Sequence, residues 1–247
     1  MDEAALSEAL AAKADRRAAA KLAKHVRPLK GVRGVPAGEI ARLCAATWKS
    51  DKPHLDDDRA ALDQLFITAW EDGLLAVGLV AAALPDDAEA AMEIGRDWLD
   101  RVDDPQTADA LGWLVLGPAV LALGRDFHDL HRLCGGLPPA ARRAVAAAAL
   151  AALPIPLEGP AAAALRARQG ERHIAFVAEP RTDVVEATLN TFLRDEDPGI
   201  RKICRRLLRV WTSVDPAAVA AWGEGVRGGL PKLLGDEVKR AQRLASA

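Results

Sequence analysis

The chain has 247 residues, half of them apolar, enough to bury the core of one large domain or of one continuous repeat array. A charged fraction of 28% interleaved with apolar residues excludes a disordered chain. Three widely spaced cysteines, Cys44, Cys134 and Cys204, exclude a disulfide framework and fit a reducing, cytoplasmic setting. The net charge of −2 decides little, because it averages basic ends and an acidic middle. Residues 1–50 carry ten Lys/Arg against five Asp/Glu, residues 51–130 five against eighteen, and residues 131–247 eighteen against twelve.

From the start of the chain, Met1-Asp2-Glu3 offers neither the basic nor the apolar region of a secretory signal. Residues 1–30 are predicted as a basic N-terminal helix packed on the rest. Lys13, Arg16, Arg17, Lys21 and Lys24 form a stripe that continues to Arg27, Lys30 and Arg33 and is interrupted only by Asp15. Such a stripe fits a solvated face as well as a nucleic-acid contact. Pro36 marks the next start, before Ile40, Leu43, Cys44 and Trp48 on one helical face. Leu62, Leu65 and Phe66 repeat that spacing. Asp86 opens another helix.

Asp104-Pro105, Asp197-Pro198 and Asp215-Pro216 are stronger signals. The carboxylate accepts orphan N–H groups of the first turn, and proline at the first helical position has no N–H to lose. Pro139 and Thr182 are further starts. Val185, Leu189, Phe192 and Leu193 line one apolar face, and Ile200, Ile203, Cys204, Leu207, Leu208 and Trp211 line the longest. The uncharged runs Ala110–Gly124 and Ala144–Leu157 fall short of the ~18 residues that span a bilayer, and Pro118 and Pro154 interrupt them. Both are therefore buried helices, and no membrane partner is expected. Gly225, Gly228 and Gly229 break helices near the C-terminus. Abundant alanine favours helix, and β-branched and aromatic residues are too scarce for a sheet. Starts recur every ~15–20 residues, so helix pairs recur every ~40, the period of HEAT-like repeats. The prediction is one all-α domain over residues 1–247, a HEAT-like repeat α-solenoid of about six stacked helix pairs.

Chemistry-bearing residues gather in a few places. The helix from Pro198 carries Arg201, Lys202, Arg205, Arg206 and Arg209 on its non-apolar face, with no acid among them. Their spacing suits a row of phosphates. A solvated face is the other account, although like charges at i,i+4 repel. Arg142 and Arg143 open an otherwise apolar helix, and neighbours diverge by about 100°, so one can face a groove while the other is solvated. Val102-Asp103-Asp104-Pro105 is an ordinary helix start with Asp104 as the cap, which leaves Asp103 only partly explained. Trp98 and Trp113 could flank a substrate near Asp103, though tryptophan in apolar surroundings ordinarily packs in a core. His128 and His131 share a face but Cys134 rotates away from it, so no metal is expected. No Walker loop, GxGxxG or GxSxG occurs, so no nucleotide cofactor is expected either.

Several segments, in order, carry a family resemblance. Lys30-Gly31-Val32-Arg33-Gly34-Val35-Pro36 before an amphipathic helix resembles the early GVR-x-P segment of the AlkD-like DNA alkylation repair family, the HEAT-like repeat DNA glycosylases. Trp48, His54 and Arg59 are similar to its Trp…His-Glu-Glu-Arg stretch, with a longer gap. Asp100-Arg101-Val102-Asp103 after Trp98 resembles its W-D-x-V-D segment, and Arg142-Arg143 its paired arginine. Ile200-Arg201-Lys202 through Leu208-Arg209, then Asp215-Pro216-Ala217-Ala218-Val219, resemble IQKAIGWxLR…NPxxV. The resemblance covers residues 30 to 245.

It implies a monomer that binds double-stranded DNA without a cofactor, with the catalytic aspartate on Asp103 and the paired arginine on Arg143. Asp103 would stabilise positive charge developing on the deoxyribose and position a water. Arg143 would hold a backbone phosphate, and the 201–209 stripe would grip the flanking duplex. Two positions depart from the family: the aromatic four residues before the aspartate is Leu99, and the C-terminal tryptophan is Arg206. In the family those aromatic faces contact the cationic nucleotide and its sugar. The expectation is thus a protein that excises, or descends from proteins that excise, cationic N-alkylated purines. The alternative is a non-catalytic HEAT-like scaffold binding DNA or protein.

Overall fold

A computed structural model of the protein describes residues 1–26, 30–155, 176–226 and 229–246. Arg27, Leu157 and Gly228 lie outside the described residues. The chain is all-helical: among the described residues there is no strand, only an isolated bridge between Gly31 and Ala69. None of the described helices is long and apolar enough to cross a membrane.

The Asp-Pro starts behave as their chemistry requires. Asp104 accepts from Gln106 N and Thr107 N at 2.9 Å each, Asp197 from Gly199 N and Ile200 N at 2.7 and 3.1 Å, and Asp215 from Ala218 N at 2.9 Å. The start expected at Asp86 falls one residue later, where Asp87 accepts from Ala90 N at 2.9 Å. The N-terminal segment expected as one helix is two, Glu3–Ala11 and Arg16–Val26. Asp15 divides them, its carboxylate capping Arg17 N and Ala18 N at 2.7 and 3.1 Å.

Pro118 does not interrupt its helix. Pro105–Leu111 passes through a π-turn, Gly112–Leu116, into Gly117–Ala122. A proline ring collides with the carbonyl four residues back and offers no N–H to it. Widening the preceding turn, with Gly117 N bonded to Gly112 O, lets the helix continue. Gly112 is needed there for a second reason. A Cβ on it would lie 2.0 Å from Ala144 O, so only glycine lets the alanine-rich Pro139–Ala148 helix approach this closely.

The apolar stripes face one continuous core. Ile40, Cys44 and Trp48, then Leu62, Leu65 and Phe66, then Ile200, Ile203, Cys204, Leu207, Leu208 and Trp211 are all buried. Five helices lie side by side in a row, each touching the next: Trp70–Ala83, Pro105–Leu111, Pro139–Ala148, Pro198–Val214 and Lys232–Ala245. Side-chain bonds between their early turns align several of them in parallel. Arg143, fifth residue of its helix, bonds Asp109, fifth residue of the neighbour before it, and the carbonyl of Gly199, second residue of the neighbour after it.

The segment around Gly34 is pinned to the first helix of the row by two fully buried acids. Glu71 Oε1 accepts from the backbone N–H groups of Arg33, Gly34 and Val35 at 3.1, 2.7 and 3.2 Å. Asp72 pairs with Arg33 Nη1 at 2.6 Å, and that guanidinium also donates to Ser7 O and Ser7 Oγ. Burial pushes the Asp72 carboxyl above the usual range, against the pull of Ser7 and Arg33. Gly34 has φ +79, and a Cβ there would meet Asp15 O at 2.3 Å. The glycine-rich segment thus seats the Arg16–Val26 helix against the start of Trp70–Ala83.

Candidate functional site

Asp103 lies just before the helix that Asp104 caps. Asp104 is fully buried, and its Oδ1 accepts three bonds, from the Trp70 indole N–H at 3.1 Å and from the two backbone donors. Capping is therefore the work of Asp104, while Asp103 stays half-buried at the edge of the row. A lysine completes this corner. The Lys30 ammonium donates to Phe66 O at 2.6 Å and sits 4.6 Å from the centre of the Phe66 ring. Burial lowers the Lys30 pKa, and the nearby charges of Asp104, Asp103 and Asp72 oppose that shift. Lys30 and Arg33, read as the end of a basic stripe, instead turn inward and face acids. This corner thus sets the half-buried Asp103 beside the buried Lys30 ammonium.

Further along the same helix, two expected residues converge on one that the sequence reading missed. Arg143 Nε and Nη2 donate to the two oxygens of Asp109 at 2.7 and 2.9 Å, a bidentate pair, while Nη1 donates to Gly199 O at 3.0 Å. Its side chain is only 13% exposed. Arg206 Nη1 stands 3.8 Å from Asp109 Oδ2, and its guanidinium lies 4.9 Å from the centre of the Trp113 ring. One carboxylate therefore serves two guanidinium groups, and a positive charge remains in excess at the surface. Trp113 is almost wholly buried, and Arg206 lies over its ring. The one signal for Asp109 was its place four residues before Trp113, at the flank of the uncharged 110–124 run.

The Arg201–Arg209 stripe is less open than its sequence. Glu237, almost fully buried on Lys232–Ala245, accepts from Arg205 Nε at 2.7 Å and from Arg209 Nη2 at 2.8 Å. Burial opposes ionisation of Glu237, but the bonds from Arg209 and Arg205 prevail and hold its pKa below the usual range. Arg201 Nε donates to Asp195 O at 2.9 Å. Lys202 is exposed and has no ion pair among the described residues. The acid that seemed missing from the stripe comes from the next helix of the row.

Trp98 lies away from this surface. It is fully buried, stacked on Phe66 with ring centres 4.2 Å apart, and its indole N–H donates to Asp63 Oδ1 at 2.6 Å. Leu99 is buried beside it. A substrate-flanking role for Trp98 does not fit this enclosure; core packing does. Arg142 forms its own bidentate pair with Asp195, at 3.0 and 3.2 Å. His131 packs edge-on against Phe192 and lies 3.0 Å from Thr188 Oγ1 through Nε2. Cys134 Sγ points to Leu130 O. Among the described residues no group of three or more His, Cys, Asp or Glu is placed to hold a metal ion.

Comparison with known proteins bears on the family and the fold. The DNA alkylation repair enzyme family matches residues 6–224. A predicted DNA alkylation repair enzyme from Enterococcus faecalis is similar in structure, with a TM-score of 0.67 over 95% of this chain and 98% of that one. At 16% identity that likeness shows a shared fold. No curated protein matches the chain. The family match spans both Asp103 and the Asp109–Arg143–Arg206 cluster, and the chain belongs to the DNA alkylation repair enzyme family.

Proposed function

We propose that this protein acts in DNA alkylation repair by binding duplex DNA along the edge where the early turns of the row meet, with Asp103 as the carboxylate that faces the reacting nucleotide. The row and the helices packed behind it are then stacked HEAT-like pairs, about six of them in a solenoid. The observation that carries this proposal is the grouping along one edge of the row. Asp104 caps the Pro105–Leu111 helix, Asp103 stands half-buried beside it, and Arg143 and Arg206 gather around Asp109 on the same helix.

The chemistry needs little more. Cleaving the N-glycosidic bond of an alkylated purine sends the bonding electrons to the base, which leaves neutral, and builds positive charge on the deoxyribose. A fixed carboxylate stabilises that charge and orients the water that adds to the sugar. Lys202 and Arg206 are the parts of the 201–209 stripe left for phosphate, since Glu237 engages Arg205 and Arg209. Arg143 contributes by fixing Asp109 and the start of Pro198–Val214. The test is release of 7-methylguanine from methylated duplex by the wild type and by Asp103→Asn. The expected result is release by the wild type and loss of roughly a hundredfold or more in the variant.

A second account is favoured by one observation. The guanidinium of Arg206 lies over Trp113, so a cationic base approaching that ring meets like charge. Duplex binding by the wild type without base release would make the protein a non-catalytic DNA-binding scaffold.

A further inference from the structure

The strongest concentration of uncompensated charge is not on the Pro198–Val214 helix. It is on Arg16–Val26, where Arg16, Arg17, Lys21 and Lys24 are exposed, no acid occurs, and none of the four has an ion pair among the described residues. Lys13, in the turn just before, is exposed and unpaired in the same way. Arg17, Lys21 and Lys24 stand at i, i+4 and i+7, so they share one face, with successive rises of about 6 and 4.5 Å along the axis. The helix is anchored at its start, where Asp15 O and Ala19 N lie against Gly34. Gly34 N in turn bonds Glu71, and the neighbouring Trp70 bonds Asp104. The basic helix is thereby fixed to the end of the row that presents Asp103.

We infer that the Arg16–Val26 helix is a phosphate-tracking surface for duplex DNA, with Arg17, Lys21 and Lys24 as its contacts and Lys13 and Arg16 flanking them. This rests on the duplex-binding proposal above. Charge complementarity selects the occupant: three aligned cations on a short helix match a run of backbone phosphates, and a polyanion gains most from them by releasing condensed counterions. A membrane surface is the poorer match. From Arg16 to Lys24 the helix offers Leu22 as its one large apolar side chain and carries no aromatic residue, whereas an interfacial helix needs a broad apolar face.

The experiment uses the full chain and a duplex of arbitrary sequence, with binding measured between 50 and 200 mM salt. The triple variant Arg17→Gln, Lys21→Gln, Lys24→Gln changes only exposed side chains and is expected to melt like the wild type. Its salt slope should be smaller in magnitude by about 2.7, so that over this range the wild type loses about 40-fold more affinity than the variant does. The loss should be the same for duplexes of unrelated sequence. An unchanged slope with intact wild-type binding overturns the inference and leaves the duplex-binding proposal standing. No wild-type binding even at the lowest salt overturns both. Wild-type capture by phosphatidylglycerol vesicles together with an unchanged duplex slope assigns the helix to a membrane surface and likewise refutes it.

Discussion

The Arg143–Asp109 pair makes a prediction that separates structure from function at the centre of the candidate site. Asp109→Asn removes the charge but keeps the shape and one acceptor. Arg143 is 13% and Asp109 18% exposed, and the pair makes two charge-assisted bonds, at 2.7 and 2.9 Å. Breaking a fully buried pair costs about 3–5 kcal/mol, because the surviving charge is left uncompensated. Partial access of water and the remaining bond to Gly199 O reduce that here to about 2–3 kcal/mol. For a chain of this length that lowers the melting temperature by roughly 5–10 °C. Thermal and urea melts of Asp109→Asn, Arg143→Met and the double variant close a double-mutant cycle, whose coupling energy should exceed about 1.5 kcal/mol. The same variant has a second readout. Freed of Asp109, Arg143 and Arg206 gain net positive charge at the surface, so duplex binding should tighten and its salt slope steepen by about one for each guanidinium that reaches phosphate. Melting within about 0.5 kcal/mol of the wild type would refute the claim that this carboxylate ties three helices together.

Further predictions concern residues around that centre. Thr188 Oγ1 donates to Val184 O, so it accepts from His131 Nε2–H and leaves buried His131 Nδ1 without a partner; burial, with the charge of His128, depresses the His131 pKa to about 4. A histidine whose folded pKa lies below its unfolded value keeps its full contribution above pH 6.5 and loses it as pH falls toward 4, by about 3 kcal/mol here. Urea melts at pH 7 and pH 4.5 should show that fall in the wild type and much less of it in His131→Leu; equal falls would remove His131 as the cause. Glu237→Gln should cost roughly 1–2 kcal/mol and strengthen duplex binding by releasing Arg205 and Arg209, whereas weaker binding would mean that Glu237 orients those arginines for phosphate. Gly112→Ala forces a Cβ against Ala144 O and should destabilise by about 3 kcal/mol; a neutral melt would show that the two helices can part without loss.

Much of the fold could be read in the sequence because its signals are local. Each Asp-Pro start needs only its own first turn, and each apolar stripe needs only the helical period, so Asp104, Asp197 and Asp215 and the Ile200–Trp211 face fell where expected. The Pro118 run was misread for an equally local reason: a π-turn has no side-chain signature beyond the proline it accommodates. The candidate site was legible only in part. Asp103, Arg143 and Arg206 stand out in the sequence, whereas Asp109 and Glu237, which engage the arginines, do not. Trp98 looked available beside Asp103 because its stacking partner Phe66 and its acceptor Asp63 lie more than thirty residues upstream.

That distance recurs. Many polar contacts between elements span a similar separation: Arg33 N to Glu71 at 38 residues, Trp98 to Asp63 at 35, Trp70 to Asp104 at 34, Arg143 to Asp109 at 34, Arg125 to Glu89 at 36, Arg205 to Glu237 at 32 and Trp222 to Asn190 at 32. A second set is longer, with Arg142 to Asp195 at 53, Arg143 to Gly199 at 56 and His131 to Thr188 at 57. Each step of the first set is about one helix pair, close to the ~40-residue rhythm of the helix starts. For Arg205 and Arg209 the counterion, Glu237, stands about one helix pair away rather than one turn away. Judging Arg205 and Arg209 by their own helix alone therefore overstated their charge. The same spacing applied to Arg16–Val26 gives the opposite result. One step on from Lys21 and Lys24 lies the acidic stretch Asp56-Asp57-Asp58, yet Asp58 is held by the Met1 ammonium at 2.8 Å and by His54 N at 3.0 Å, and among the described residues no ion pair joins that stretch to the basic helix. The charge that is partly offset on the Pro198–Val214 helix persists on Arg16–Val26, and duplex affinity should follow the N-terminal helix more closely than the other.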